Sequence, residues 1–227
     1  MKVVNVSRGT VNRTTPTRPW RGTSALERQT KRRGQLLEAG LEVIGSRGWA
    51  NATVVAVCRE AGLTERYFYE AFGDRKTLLL EVYAAVRDEA VNAVVGAFLG
   101  TKGDLRARTR ASIAAAFHVL FDDPRKGKLL LLEAATDESL LRVRRELLTE
   151  SAALLAEITK GTYGGRELDP VELRLSTLAL LGAITELGTA YVSGTLDVSR
   201  ERLLEHVTNH FFMVLSEAGV RSANVLG

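Results

Sequence analysis

The stretch "GLTERYFYEAF", from Gly62 to Phe72, is the most informative segment of this chain. It places Tyr67, Phe68 and Tyr69 side by side, directly after a threonine, an acid and an arginine. Successive residues of a helix point about 100° apart, so the three rings cannot all face one core. We expect Phe68 and Phe72, four residues apart, to share the buried face, with a tyrosine on either side. The segment predicts a short helix that offers part of its surface to another molecule.

A second short helix, "VVAVCREA", precedes this segment, and turn chemistry joins the two. Thr53 and Thr64 stand where helix caps are needed, and Gly62 and Gly73 stand where helices end. Two short helices joined by a glycine-containing turn are typical of a helix-turn-helix. Apolar residues fall where such a unit packs, namely at Val57, Ala61, Leu63 and Phe68.

The single cysteine, Cys58, falls where these two helices should approach closely. We interpret it as a small packing residue rather than a nucleophile, since no base lies near it in sequence. One cysteine excludes an intrachain disulfide framework and fits a reducing compartment, so we expect a cytoplasmic protein. The chain shows no secretory signal and no uninterrupted apolar run of the roughly 20 residues that span a bilayer, so no membrane partner is expected.

Charge is distributed unevenly along the 227 residues, although the formal net charge is only +4. Residues 1–33 carry nine Lys or Arg and one acid, Glu27, so they sum to +8 and the remainder to −4. Residues 1–23 lack helical periodicity, and we expect a disordered basic arm there. Such an arm is an electrostatic footprint for nucleic acid, but a merely solvating tail would have the same composition.

The segment 48–79, "GWANATVVAVCREAGLTERYFYEAFGDRKTLL", resembles the DNA-binding domain of the TetR family of bacterial transcriptional regulators. Cys58 departs from the family pattern, in which alanine is usual. Arg75 stands where lysine is commoner, and Lys76 where an acid often sits. The matching positions are Gly48, Trp49, Thr53, Ala61, Gly62, Leu63, Thr64, Tyr69, Phe72, Arg75, Leu78 and Leu79.

The resemblance implies a set of DNA contacts. Those to the DNA backbone would come from Thr53, Thr64, Tyr69 and Arg75. Those facing the bases would be Glu65, Arg66 and Tyr67. Lys76 would add a phosphate contact, while Arg28, Lys31 and Arg32 could follow the backbone or a minor groove. From its place in the first turn of a recognition helix, Arg66 could pair with guanine O6 and N7, worth about 1–3 kcal/mol of discrimination.

Helical patterns continue to the end of the chain, so the predicted fold is all-α. We expect helices near 104–121, 124–135, 137–160, 169–193 and 199–218. The predicted units are the arm 1–23, a three-helix helix-turn-helix DNA-binding domain 24–73, a connecting helix 74–100, an effector-binding and dimerisation domain 101–222, and a tail 223–227.

The resemblance implies that the C-terminal helices bind a small effector and that the last two form a homodimer. The segment "ELRLSTLALLGAITELGTAYV" is apolar around most of its circumference, which favours burial on several sides. A two-fold dimer would set two recognition helices on a palindromic double-stranded DNA operator. The nominated interface residues are Gly182, Ala183, Leu187, Ala190, Tyr191, Leu203, Val207, Phe211 and Val214.

An effector pocket can be nominated only from apolar helical faces with a few polar groups. Such a pocket would suit a lipophilic ligand, although ordinary core residues show the same pattern. The nominated residues are Phe117, His118, Leu120, Phe121, Leu131, Glu133, Leu155, Ile158, Thr185 and Glu186.

Other chemistry finds little support in the sequence. His206 and His210 have helical metal-ligand spacing but no third ligand nearby, and no cofactor motif is present, so neither a metal nor a cofactor is expected. With three histidines and no nucleophile–base–acid grouping, an all-α enzyme is disfavoured. The favoured function is a sequence-specific repressor released from its operator by an effector. The alternative is an effector-independent architectural or nonspecific nucleic-acid binder.

Overall fold

The computed structural model describes residues 24–135, 137–160 and 170–225. Every regular element within these ranges is helical, which confirms the all-α prediction. The α-helices are α1 (Ala25–Arg47), α2 (Val54–Ala61), α3 (Glu65–Phe72), α4 (Arg75–Gly100), α5 (Leu105–Asp122), α6 (Pro124–Gly127), α7 (Glu138–Lys160), α8 (Pro170–Val192) and α9 (Arg200–Val225). The predicted basic arm at 1–23 and the glycine-rich stretch at 161–167 lie outside the described residues.

Helix starts follow the local signals that the sequence carries. Ser24 and Glu27 form a reciprocal capping box at the start of α1. The Thr53 hydroxyl accepts the backbone N–H of Ala56 at the start of α2. Gly62 ends α2 in the left-handed conformation at φ 65°, where a side chain would be strained. These local interactions set the lengths of the two helix-turn-helix helices.

The first four helices surround one apolar core. Phe68 of α3 is fully buried, and so are Val57 of α2, Ile44 of α1 and Leu78 of α4. Because every helix contributes to this cluster, the exposed face of α3 has a fixed orientation relative to α1 and α4.

The segment after α6 departs from the predicted helix 124–135. Lys128–Leu132 forms a π-helical turn and Glu133–Ala135 a 3-10 turn. Leu129 packs in the N-terminal core, whereas Leu131 lies against Gly188 of α8. In a regular α-helix, side chains two positions apart point about 200° from each other. Both leucines are buried because this segment lies between the N-terminal helices and α8.

A second core joins α5, α8 and α9. Phe117 of α5 packs with Leu203, Leu204 and Val207 of α9. Partly buried α8 side chains, including Leu187, close the same cluster. The first cluster also contains Leu129, Ala134 and Leu140, so the N-terminal core extends to the segment after α6 and the start of α7.

One helix among the described residues, Arg174–Val192 within α8, has the length and apolar composition of a membrane span. The stretch is not an uninterrupted apolar run, since it contains Arg174 and Glu186. Few residues of this stretch are buried inside the chain. A single helix of this kind also occurs in the cores and interfaces of proteins outside membranes.

Candidate nucleic-acid interface

The exposed face of α3 is the centre of the candidate interface. Phe68 and Phe72 are buried, as predicted, and Tyr69 keeps 53% of its surface exposed. Glu65, Arg66 and Glu70 are also exposed. The helix thus offers an outward surface of two acids, an arginine and a tyrosine. As expected, its three consecutive aromatic rings do not all face the core.

Arg66 is highly exposed on this surface and forms an ion pair with Glu70. Its side chain is 83% exposed, and its Nε donates to Glu70 Oε1 at 2.8 Å. The hydrogen bond to Glu70 raises the pKa of the Arg66 guanidinium, which therefore stays cationic. Glu70 was not nominated from the sequence, although its i, i+4 spacing from Arg66 would have indicated the contact.

Tyr67 lies at the edge of the outward surface rather than at its centre. The guanidinium carbon of Arg32 on α1 lies 4.3 Å from the centre of its ring. This cation–π contact joins two predicted DNA-contacting residues from different helices. The other two basic residues nominated on α1, Arg28 and Lys31, are exposed.

The two capping threonines differ in how they use their hydroxyls. Thr53 caps α2 through its side chain, whereas Thr64 stands at the N-cap of α3 without a side-chain cap hydrogen bond. The exposed Thr64 hydroxyl is therefore available to a phosphate oxygen. Val55 and Cys58 of α2 line an open groove of about 510 Å³ that continues to Thr64 and Arg66.

The basic pair at the start of α4 has intramolecular partners. The Arg75 guanidinium lies 3.8 Å from the centre of the Trp49 ring. Lys76 Nζ lies 2.6 Å from Asp137 Oδ2 and also contacts Oδ1. Phosphate binding by Lys76, as predicted, would have to compete with Asp137.

Cys58 lies in the packing between α2 and α3. It is buried, with 4% of its surface exposed. Burial, and to a smaller extent the Glu65 carboxylate, raises the pKa of its thiol. A thiol with these surroundings is a packing group and not an activated nucleophile.

The nominated effector residues lie in different surroundings. Phe117 and Phe121 come together with Tyr191, which the sequence nominated for the dimer interface instead, and the ring centres are 4.8 Å and 4.7 Å apart in successive pairs. Leu131 is buried and Leu120 half-buried, and the Thr185 hydroxyl donates to the carbonyl of Leu181 within α8. The side chains of Leu155 and Ile158 lie outside the described part of the structure.

Three nominated effector residues do not face the aromatic cluster. The His118 side chain is 75% exposed and pairs with Asp122 one turn later. Glu186 is exposed on α8. Glu133 accepts the backbone N–H of Trp49 at 2.9 Å, so its carboxylate points toward the helix-turn-helix. These three side chains thus lie apart from the aromatic rings, because helical spacing alone does not show which neighbour covers a face.

The nominated dimer residues differ in how far the chain itself covers them. Leu203, Val207 and Phe211 are buried within the chain, with at most 8% of their surface exposed. Leu187, Tyr191, Ala183 and Ala190 are partly buried, Gly182 is exposed, and the side chain of Val214 lies outside the described part. The outward face of α8 instead carries Val171, Leu175, Ala179, Gly182 and Glu186.

The two histidines of α9 have parallel rings with centres 6.3 Å apart. No group of three metal-binding side chains occurs within the described residues. The pair His206 and His210 thus gains no third ligand there.

An ion-pair cluster that joins α1 to α6 was missed from the sequence. Arg125 Nη1 donates to Glu38 Oε1 and Glu42 Oε2, at 2.9 Å each, and Arg125 also pairs with Asp123. Gly45 packs directly beneath Arg125, since a Cβ there would lie 2.5 Å from Arg125 Cβ. Glu38 and Glu42 are more than 80 positions from Arg125 in sequence, so no local pattern could reveal these two contacts.

Comparisons with known proteins agree with this geometry. The family model described as "Bacterial regulatory proteins, tetR family" matches residues 36–82, which cover α2, α3 and parts of α1 and α4. The chain is 31% identical over 121 residues to the HTH-type transcriptional activator FasR of Mycolicibacterium smegmatis, covering 53% of this chain and 55% of FasR. It is 31% identical over 90 residues to the HTH-type transcriptional regulator BetI of Agrobacterium fabrum, covering 40% of this chain and 41% of BetI.

The matches therefore span about half the length, or less, of these curated relatives. The fold likeness extends further. The transcriptional regulator FadR from Bacillus subtilis, solved in complex with stearoyl-CoA, superposes with a TM-score of 0.67 at 19% identity, over 81% of this chain and 97% of FadR. Residues 36–82 of this chain thus match the model of the TetR family of bacterial regulatory proteins, and the chain as a whole shares the fold of a solved regulator.

Proposed function

We propose that this protein is a sequence-specific, ligand-responsive transcriptional regulator, and that it represses until a small lipophilic effector releases it from a palindromic operator. The observation that carries the DNA-binding part is the outward face of α3, where Arg66 and Tyr69 are exposed while Phe68 anchors the helix in the core. The N-terminal part of a recognition helix is the part that meets base edges.

The nominated contacts have complementary roles in this proposal. Arg66 and Glu65 face base edges, with Tyr67 beside them. Thr53, Thr64, Tyr69 and Arg75 hold phosphates, which fixes the register of the protein on DNA without reading sequence. The basic residues of α1 add counterion release, so we expect affinity to fall steeply with salt.

We infer a palindromic operator because the protein is proposed to form a two-fold homodimer through the outward faces of α8 and α9. Leu175 is 56% exposed on α8 and Met213 is 54% exposed on α9. These apolar side chains on two long helices are suited to a self-complementary contact about a two-fold axis. Two recognition helices related by that axis would bind two half-sites about one helical turn apart.

The effector proposal rests on the apolar surroundings of Phe117, Phe121 and Tyr191. FadR of Bacillus subtilis was solved with stearoyl-CoA, and an acyl chain is the kind of ligand that an aromatic and aliphatic lining accepts. Effector binding at this cluster would bias the dimer toward a spacing that no longer fits successive grooves. By linkage, operator DNA would weaken effector binding by the same factor.

A specific observation also favours an effector-independent DNA binder. The rings of Phe117, Phe121 and Tyr191 already pack on one another, which is the behaviour of an ordinary core. In that case α5, α8 and α9 would serve only to hold the dimer.

The test begins with selection of bound duplexes from a randomised library, using the full chain and excess nonspecific competitor DNA. Enrichment of a two-fold symmetric motif supports the proposal, whereas binding that follows salt alone, without a motif, contradicts it. Stearoyl-CoA and stearate are then titrated into the complex with the selected duplex. Release by either probe supports the effector model, and unchanged affinity favours the effector-independent binder.

The direction of regulation needs its own measurement, because FasR is named an activator. A promoter that overlaps the selected motif would drive a reporter in cells with and without the protein. Lower expression in the presence of the protein supports repression, and higher expression contradicts it.

A further inference from the structure

Glu70 lies one turn after Arg66 on the recognition helix and holds one edge of its guanidinium. The hydrogen bond runs from Arg66 Nε to Glu70 Oε1 at 2.8 Å. The Glu70 side chain is 45% exposed and that of Arg66 is 83% exposed. Within the described residues no other hydrogen bond is found for the Arg66 guanidinium, so its Nη1 and Nη2 groups point to solvent.

This arrangement selects one of the two ways in which arginine can contact a base. A guanidinium can present the Nε–Nη2 edge or the Nη1–Nη2 end, and Glu70 binds the Nε of the first. Guanine offers two acceptors in the major groove, O6 and N7, which match a pair of parallel N–H donors. The Nη1–Nη2 end of Arg66 supplies such a pair.

The pair contributes little to the stability of α3 itself. An exposed i, i+4 ion pair adds little to helix stability, and the order with the acid N-terminal is the more favourable one. Here the arginine comes first. The consequence of the contact that matters for DNA is therefore orientation, because a flexible arginine loses less rotamer freedom on binding when it is already held.

We propose that Glu70 is a positioning residue that orients Arg66 for end-on reading of a guanine in each operator half-site. The inference rests on the proposed DNA-binding function and adds to it a base and a second residue. Replacing Glu70 should therefore change general DNA affinity and base preference in opposite directions. Removing the negative charge of Glu70 should strengthen general attraction to phosphates, whereas the preference for guanine at the Arg66 position should weaken.

The experiment selects duplexes from a randomised library with the full-length wild type, Arg66→Ala, Glu70→Gln and the double variant. Glu70→Gln suits the purpose because glutamine has nearly the same helix propensity as glutamate. The matched control is Glu60→Gln, which removes an acid from α2, where it pairs with Arg47. Affinities for duplexes with each of the four bases at the guanine position are then measured at one salt concentration.

We expect the wild type to enrich a guanine in each half-site and Arg66→Ala to lose it. Glu70→Gln should lower discrimination for that guanine by about fivefold or more, while binding to random DNA is equal or tighter. Glu60→Gln should keep full discrimination. In the Arg66→Ala background, Glu70→Gln should change no base preference, because Glu70 acts through Arg66.

Several results would overturn the inference and leave the proposed function standing. One is a selected motif whose guanine preference survives Glu70→Gln as fully as it survives Glu60→Gln. Another is a motif unaffected by Arg66→Ala, and a third is a base preference that Glu70→Gln still alters without Arg66. If the wild type selects no motif, the proposed function fails and the inference fails with it.

Discussion

The Glu133 carboxylate accepts the backbone N–H of Trp49 at 2.9 Å, across 84 positions of sequence. It ties the 3-10 turn that precedes α7 to the turn that leads into the helix-turn-helix. Lys76 and Asp137 form a second tie between α4 and the start of α7. Both connect the DNA-binding unit to the start of α7, and the Arg125 cluster likewise connects α1 to α6.

Glu133→Ala should lower the free energy of unfolding by about 1–3 kcal/mol, because it leaves a partly buried backbone N–H without its charged acceptor. Glu133→Gln should cost less, since an amide oxygen can still accept. Urea unfolding at neutral pH and fixed protein concentration measures both variants. Glu146→Ala, an exposed acid on α7, is the control and should stay within about 0.5 kcal/mol of the wild type. A loss no larger for Glu133→Ala than for this control would contradict the prediction.

Asp137 should contribute to the loss of folding stability at acidic pH. Its hydrogen bonds, first from Lys76 and then from the backbone N–H groups of Leu140 and Ser139, lower its pKa from 3.8, against the opposing effect of burial. Because the folded-state pKa is lower than the unfolded one, the contribution is present above the unfolded pKa. It is lost as pH falls through the folded pKa.

Asp137→Asn should therefore reduce stability at neutral pH and flatten the fall in stability below about pH 4. Urea midpoints measured over a series of acidic pH values test this. Asp197→Asn, at an exposed position before α9, should keep the wild-type slope. If stability falls equally with acidic pH in Asp137→Asn and in the wild type, the ion pair between Asp137 and Lys76 does not contribute to the pH dependence of stability.

Local patterns were sufficient for most of the fold. The capping box at Ser24, the turn at Gly62 and the buried spacing of Phe68 and Phe72 involve residues at most four apart, so the sequence displays them directly. The outward exposure of Arg66 follows from the same periodicity. For this reason the helix-turn-helix and its candidate DNA surface could be predicted.

Contacts between distant segments could not be predicted in the same way. Glu133 was expected at an effector pocket because its helix looked continuous, but the π-helical and 3-10 turns redirect it toward Trp49. Leu203 and Val207 were expected to meet a second copy, yet Phe117 of the same chain covers them. An apolar stripe shows that a face is buried and does not show which partner covers it.

Gly45 and Gly34 lie on the same helix, and we expect opposite effects when each is replaced by alanine. A Cβ at Gly45 would lie 2.5 Å from Arg125 Cβ and 2.7 Å from its Cα, so α1 and α6 must separate, at a cost of about 1–3 kcal/mol. A Cβ at Gly34 meets nothing within 4 Å. Gly34→Ala should therefore stabilise the protein by about 0.5–1 kcal/mol through helix propensity. Thermal and urea unfolding measure the stability of both variants. Equal effects would mean that α1 does not pack tightly against Arg125 in solution.

Leu175→Glu should weaken the proposed homodimer without unfolding the subunit. Leu175 is 56% exposed on the outward face of α8, so the monomer tolerates a charge there. A two-fold interface would bury the new carboxylate twice, which should raise the dimer dissociation constant by about tenfold or more. Leu99→Glu changes a leucine that is 75% exposed at the end of α4 and should leave the dimer intact. Analytical ultracentrifugation across a concentration series, with helix content checked by circular dichroism, measures both. If Leu99→Glu dissociates the dimer and Leu175→Glu does not, the subunits meet through α4.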